Sequence, residues 1–251
     1  MWNGAVTIGA LTVPVKVFTA TQSHTVHFRE LHASDGAPIE HRRVSSKSGR
    51  EVSADKIVKG YETSPGHWVV LSDDEIRTVE QPRRKAIEIE HFVPADQVDP
   101  VHYDRAYYLG VGAGGRDAYA TLAAAMQRTG RVGIGRVVLR SREQLVALRA
   151  RDGVLRMSTM RFADELVAVD ELEIEEPRRA PTPAEVEMAR KLVDGLAGKW
   201  EPGKLHDSYQ ERLLGYLRAR AKGKQPDLPE ADEPDEETDD LLAALKASVA
   251  A

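Results

Sequence analysis

Between Ala5 and about Val93 the apolar residues of this chain come in short runs separated by turn residues. VTIGALTVPVKVF (6–18), TVHFREL (25–31), WVVL (68–71) and IEIEHFV (87–93) have the length, β-branching and alternation of strands, and a succession of such strands favours an antiparallel sheet or barrel. Ser72 followed by Glu75 forms a capping box that predicts a short helix through Val79. A second helix is expected from about Asp117 to Thr129, where Tyr119, Leu122, Ala123 and Met126 recur at helical spacing, and a strand follows at 132–140. Asp152-Gly153 then separates LVALRAR from VLRMSTM, the arrangement of a two-residue type I′ hairpin. That turn sets Arg151 opposite Val154 and Arg149 opposite Arg156. Arg149, Arg151 and Arg156 therefore share one face, with Leu148, Leu155 and Met157 on the other.

The pattern changes in the last third. Thr182-Pro183-Ala184-Glu185 combines an N-cap, a proline at the first helical position and a capping-box glutamate. The helix after it carries Val186, Ala189, Val193, Leu196 and Trp200 along one face, and Glu201-Pro202-Gly203 is expected to end it. Another amphipathic helix is predicted from about Asp207 to Ala221, with Tyr209, Leu213, Tyr216 and Leu217 together. Two helices without a core of their own must pack on something, either the β-rich body or a partner subunit. Residues 222–240, rich in proline and acid, are expected to be disordered, and DDLLAALKASVAA at the end to form a marginal helix.

Charge revises the first impression of an acidic protein. The net charge of −5 is an average over unlike regions: residues 226–240 hold nine acidic residues and no basic one, which leaves 34 basic against 31 acidic residues in 1–225. Residues 41–59 carry six Lys/Arg against two acids, and 131–161 carry eight Arg against Glu143 and Asp152. Such clusters are the electrostatic footprint of a polyanion partner, although lysine and arginine also populate any solvated face. Three arginines gathered on one sheet face fit an anion lying against them, or carboxylates interleaved among them.

Candidate chemistry is sparse. The chain has no cysteine, so disulfides, thiolate metal sites and cysteine nucleophiles are excluded. The eight histidines are scattered, and alternation puts His27 on the opposite strand face from His24 and His32, so no metal site is expected. No Walker loop, no G-x-S-x-G elbow and no catalytic constellation stands out. Gly110 to Gly115 satisfies G-x-G-x-x-G between a strand and a helix, the local setting of a dinucleotide loop, and an NADP-dependent enzyme is the alternative it raises. Only one β-α-β unit surrounds it, which favours a plain glycine-rich connection. No apolar run reaches the roughly 18 residues of a membrane span, and Met1-Trp2-Asn3-Gly4 does not open a signal segment, so a cytoplasmic protein is expected.

Several segments together carry a resemblance. TIGALTVPVKVFTAT after Trp2-Asn3-Gly4, FRELH (28–32), IVKGYE (57–62), WVVLSDDEI, FVPADQVDP (92–100), DRAYYL, IGRVVLRSREQL (134–145), STMRFADEL (158–166) and DSYQERL (207–213) are similar, in order and interval, to the prokaryotic Ku family. The resemblance covers about residues 1–223. It implies a mixed fold of β with α: an antiparallel β-barrel core with a DNA-encircling bridge in 1–178, a helical arm for dimerisation in 179–223, and 224–251 left as an acidic tail. It further implies a homodimer that encircles double-stranded DNA ends in non-homologous end joining, without sequence readout, enzymatic activity or cofactor, and that recruits a repair DNA ligase of the ligase D type. On that resemblance Lys16, Lys56, Lys59, Arg140 and Arg142 lie near the DNA channel. Arg42, Arg43, Lys47 and Arg50 form a second basic group, and Arg149, Arg151 and Arg156 a third on the hairpin. Some relatives carry Cys-x-x-Cys where this chain has Ser45-Ser46-Lys47-Ser48, so no metal staple is expected there. Many relatives end in a basic tail, whereas this acidic one is expected to repel DNA or to meet a basic protein.

Overall fold

A computed structural model of the chain describes residues 2–79, 85–175 and 179–224. The acidic run, the terminal segment expected to be helical and the boundary expected near 178 lie wholly or partly outside these residues. Two compact units emerge, one of Met1–Ser23 with Arg29–Leu172 and one of His24–Phe28 with Glu173–Ala251. Among the described residues no helix is long and apolar enough to cross a membrane.

The first unit is built on seven strands: β1 (Trp2–Ile8), β2 (Leu11–Thr19), β5 (Ala86–Pro94), β6 (Tyr103–Val111), β7 (Arg131–Leu139), β8 (Arg142–Arg151) and β9 (Val154–Met160). They close into a barrel in the order β1-β2-β6-β9-β8-β7-β5. Alternation drives it: Val6, Val13, Val15, Val17, Ile87, Leu109, Val137, Val146, Leu148, Leu155 and Met157 point inward and are almost completely buried. The expected antiparallel barrel is mixed in one respect, because β1 pairs β5 in parallel through Ala5, Val6 and Thr7. Closure needs that pair, since a sheet leaves no open edge only when its first and last strands meet.

Between β2 and β5 the chain leaves the barrel. TVHFREL, expected as a strand, forms none. Residues 20–30 pair with no strand, and the carbonyl of His24 accepts instead from the side-chain amide of Gln210 in the second unit, to which His24–Phe28 belong. Two small loops follow, closed by the bridges Leu31–Pro38 and Val44–Glu51. The Ser45-Ser46-Lys47-Ser48 loop is fastened by its own backbone, Ser45 N–H donating to Arg50 O at 2.9 Å and Gly49 N–H to Ser45 O at 2.8 Å. Then come a two-stranded hairpin of β3 (Lys59–Ser64) and β4 (His67–Leu71) and the short helix α1 (Asp73–Val79). Ser72 caps α1 as expected: its hydroxyl accepts from Glu75 N–H at 3.2 Å while its own N–H donates to the Glu75 carboxylate at 2.8 Å. The Ser72 hydroxyl, which also donates to the Glu75 carboxylate at 2.7 Å, and then the Ser72 N–H hold that carboxyl below its usual pKa.

Helix α2 (Arg116–Thr129) buries Tyr119, Leu122, Ala123 and Met126 in the same core as the strands. The Tyr119 hydroxyl donates to Leu109 O at 2.6 Å and accepts from Leu155 N–H at 2.8 Å, fastening α2 to β6 and β9. Gln127 also accepts from Gly153 N–H in the β8–β9 turn, at 3.2 Å. Helix α2 therefore sits at the end of the barrel where β8 finishes. The glycine loop explains itself here. Gly112 N–H donates to Pro14 O at 2.9 Å, and a Cβ on Gly112 would meet the Pro14 backbone at 2.5 Å. The glycines admit the close approach of β2 to the strand-helix connection, the place a pyrophosphate would occupy in a dinucleotide fold.

In the second unit α3 (Pro183–Gly195) starts on the expected capping box. Thr182 N–H donates to the Glu185 carboxylate at 2.7 Å, and Glu185 N–H to the Thr182 hydroxyl at 3.3 Å. Arg179 adds a double hydrogen bond to Glu185, which is buried; these contacts hold its carboxyl far below the usual range, the guanidinium being the larger cause. The helix was expected to reach Trp200 but stops at Gly195, where glycine makes further helix less favourable. Helix α4 (Ser208–Ala221) begins on Asp207, whose carboxylate accepts from Gln210 N–H at 2.9 Å.

Candidate nucleic-acid interface

The register of four neighbouring strands assembles one row on the outer wall of the barrel. Phe18 on β2 stands opposite Tyr108 on β6, Tyr108 opposite Arg156 on β9, and Arg156 opposite Arg149 on β8. Directly opposed residues share a sheet face, so these four side chains lie side by side. Lys16, two positions before Phe18, belongs to the same face and is exposed. The row borders a hollow of about 390 Å³ whose lining includes Tyr108, Arg149, Arg151, Arg156 and Ser158.

Opposed arginines repel, and the surroundings offset this only partly. The Arg149 guanidinium lies 4.7 Å from the Tyr103 ring centroid and donates to the Tyr103 hydroxyl, while that of Arg156 lies 5.8 Å from the Tyr108 ring. Asp152 in the hairpin turn pairs with Arg156 at 3.2 Å and Arg151 at 3.8 Å, so one carboxylate interleaves where three arginines gather. No carboxylate reaches Arg149 among the described residues, and burial pushes its guanidinium below its usual pKa. The Nε atoms of Arg149 and Arg156 are both buried without an acceptor among the described residues. Stacking is worth about 0.5–1 kcal/mol per pair, whereas a buried donor without an acceptor costs about 1–3 kcal/mol. The face is thus short of negative charge and of acceptors. An oxyanion supplies both.

The hairpin geometry that aims these arginines follows the sequence closely. Asp152 and Gly153 adopt φ values of 53° and 73°, the left-handed pair of a type I′ turn. The β7–β8 turn has the same form without a glycine, Arg140 at φ 51° and Ser141 at φ 70°. Left-handed φ is unfavourable for residues with a side chain, so this turn is strained at the point where it presents Arg140 and Arg142.

The remaining basic residues separate into those already engaged and those exposed. Of the eight arginines in 131–161, Arg136 is held by Glu90 at 3.0 Å and Glu143 at 2.6 Å, and Arg161 donates to the carbonyls of Val101 and Tyr103. Arg131 likewise donates to Phe92 O. Counting charges in the window therefore overstated its positive face. In the excursion between β2 and β5, Arg42 pairs with Glu51 at 3.3 Å and Lys59 with Asp73 at 3.1 Å, while Arg43, Lys47, Arg50 and Lys56 are exposed on loops or a single helical turn. All six lie off the barrel strands, Lys59 on β3 of the separate hairpin, and do not join the row of Phe18, Tyr108, Arg156 and Arg149. Reading of the chain missed the aromatic members, Phe18, Tyr103 and Tyr108. Each is an ordinary strand residue until the fold sets Tyr108 opposite Arg156, Phe18 opposite Tyr108 and Tyr103 under the Arg149 guanidinium.

Fold and face together define a class: a closed β-barrel plugged by a helix at one end, with a cationic, tyrosine-backed outer wall. Residues 7–188 match the family model for the Ku70/Ku80 beta-barrel domain. The chain is 40% identical over 253 residues to the non-homologous end joining protein Ku of Symbiobacterium thermophilum, aligning in full with 62% of that protein's length. It is 38% identical to the Ku protein of Anaeromyxobacter sp. strain K, covering 85% of it, and 33% identical to that of Bacillus subtilis strain 168, covering 81%. The chain belongs to the Ku family.

Proposed function

We propose that this protein is a non-enzymatic DNA end-binding subunit of non-homologous end joining, which pairs with a second copy to encircle duplex DNA and brings a repair DNA ligase to the break. The observation that carries the DNA-binding part is the directly opposed pair Arg149 and Arg156 on a tyrosine-backed wall, whose charge Asp152 meets only in part. Lys16, Arg140, Arg142 and Arg151 extend the proposed contact surface, with Arg43, Lys47, Arg50 and Lys56 supplying weaker contacts. Arg42 and Lys59, already paired, rank last. Contacts of this kind go to phosphates and position the duplex without reading its bases. End joining in the names of the relatives supports the role at breaks and the need for a ligase partner.

Pairing with a second copy is supported by the second unit. Val186, Val193, Leu196, Trp200, Leu205 and Tyr209 are large apolar side chains, all more than half exposed. Such an apolar set marks a surface that a partner covers. The test is the mass of the full chain in solution, alone and with a short linear duplex. A dimer that loads onto the duplex is expected, and truncation before Thr182 is expected to leave a monomer. A monomer in the full chain, or an unchanged dimer after truncation, refutes the pairing.

A further inference from the structure

The barrel has two unlike ends. Helix α2 closes the one where β8 finishes. The other, where β8 begins, is an open mouth of about 690 Å³ lined by Trp2, Val17, Phe18, Tyr107, Leu139 and Gln144, with Arg105, Arg140, Arg142 and Asp104 among its polar members. Ten residues of β8 separate them, roughly 33 Å of extended strand. A concave mouth of a small barrel with apolar walls and a few convergent polar groups is a common form of ligand site.

We infer that this mouth binds a nucleoside phosphate, the aromatic wall taking the base and the arginines the phosphate. Two independent features of the mouth support the two halves. On the aromatic side, the Trp2 ring lies against Gly4 and the Phe18 ring against Gly110, where a Cβ on Gly110 would stand 2.9 Å from Phe18 Cε2. Glycine at these positions lets each ring lie down on its own face of the sheet, Trp2 on the inner face with Val17 and Phe18 at the rim on the outer face with Tyr108. Tyr107 adds a third ring at the wall. Planar, pre-positioned rings accept a base by stacking irrespective of its identity.

On the phosphate side, Arg140 and Arg142 rise from the strained β7–β8 turn and have no carboxylate partner among the described residues, unlike Arg136 on the same strand pair. Arg105 is anchored by its backbone, its N–H donating to the buried Thr159 hydroxyl at 3.1 Å. The single acid of the mouth, Asp104, faces Arg105 at 3.7 Å and Arg161 at 3.9 Å, so the positive charge there is only partly met. Guanidinium groups with free donors bind phosphate oxygens in paired hydrogen bonds. The nucleoside phosphate has two sources, a free nucleotide or the terminal nucleotide of a strand. The mouth shares Phe18, Arg140 and Arg142 with the proposed duplex contact surface, and titration without duplex separates the two.

The experiment is calorimetric titration of the full chain, without duplex, by ATP, by inorganic triphosphate, by adenosine, and by a short single strand with a 5′-phosphate or a 5′-hydroxyl. Saturable binding of ATP is expected, at least tenfold tighter than inorganic triphosphate or adenosine. The double variant Arg140→Gln, Arg142→Gln, and separately Arg105→Gln, should each lower ATP affinity about tenfold or more, with circular dichroism unchanged. Phe18→Leu should narrow the gap between ATP and inorganic triphosphate. A preference for the 5′-phosphorylated strand over the 5′-hydroxyl one assigns the strand end as the source, and tighter ATP than strand binding assigns the free nucleotide. No saturable binding by ATP or by the phosphorylated strand overturns the inference. So does equal binding of inorganic triphosphate, or ATP binding indifferent to the arginine variants.

Discussion

The two units of this chain bury their apolar residues in opposite ways. In the barrel unit the inward positions of seven strands and one face of α2 form a single core in which Val6, Val13, Ile87, Val146, Leu148, Leu155 and Met157 lose nearly all solvent contact. In the helical unit the buried residue among those described is Glu185; Val186 and Val193 of α3 stay largely in solvent, while Leu213, Leu214, Tyr216 and Leu217 of α4 are partly covered. A barrel that closes on itself has solved its packing within one chain. Helices of 13 and 14 residues whose apolar set is still partly open have not, since an amphipathic helix draws most of its stability from tertiary packing. On the proposed reading the contrast divides the labour: the barrel presents charge, and the helices offer a surface to a partner.

The sharpest way to break this comparison is to cut each apolar set. Leu148→Ala in the barrel should destabilise the fold by about 2–5 kcal/mol, read from the midpoint of urea unfolding, through lost burial and the cavity left behind. Val193→Ala or Leu196→Ala should shift that midpoint by less than about 0.5 kcal/mol at low protein concentration, while weakening self-association measured by sedimentation. Equal destabilisation by both kinds of substitution would show that the helices are core elements after all.

Next in size is the charged wall. Arg149→Glu with Arg156→Glu should weaken duplex binding at least about 100-fold, from roughly 1.5 kcal/mol or more per charged hydrogen bond, and equally for unrelated DNA sequences. The slope of log affinity against log salt should become shallower by about 0.9 for each phosphate contact removed. A change in sequence preference instead would contradict backbone contact. Replacing Arg136, which Glu90 and Glu143 already hold, is expected to have a far smaller effect on DNA.

A smaller effect belongs to the start of α3. Thr182→Ala should cost about 1 kcal/mol of local stability through loss of the cap, visible as faster amide exchange in 183–190. Hydrogen bonds from Arg179 and then Thr182 hold the Glu185 carboxyl far below the usual carboxylate range. A group whose folded pKa is depressed stabilises the fold fully above its unfolded pKa and loses that contribution as pH falls. Protection of α3 should therefore be constant above about pH 5 and decline below about 4.5, and the decline should vanish in Glu185→Gln. The smallest effect is expected at Arg42→Ala, where an exposed ion pair with Glu51 contributes about 0.2–1 kcal/mol at most.

What could be read from the residues was whatever depends on near neighbours. Asp152-Gly153 specified its turn, and through it the opposition of Arg149 and Arg156. Ser72-Glu75 and Thr182-Glu185 marked two helix starts, and Tyr119, Leu122, Ala123 and Met126 marked the buried face of α2. What escaped depends on distant partners. TVHFREL alternates like a strand, yet no strand lies beside it, and alternation alone supplies no hydrogen bonds. The β1–β5 pairing joins Ala5 to Ala86 and is parallel, a choice that no turn signal records. The same holds for the site: Phe18, Tyr108 and Arg156 come from three segments and become neighbours only through register. Arg136 illustrates the converse, a cation in a basic window that the distant Glu90, together with Glu143 across the β7–β8 turn, removes from service.

The central claim is that the charged wall and the paired helices together make a clamp that enters DNA at its ends. Binding of the full chain to a linear duplex and to a closed circle of the same sequence, at one salt concentration, tests it most directly. The account predicts saturable binding to the linear molecule and little to the circle, with binding appearing once the circle is cut. Equal affinity for the closed circle would contradict it.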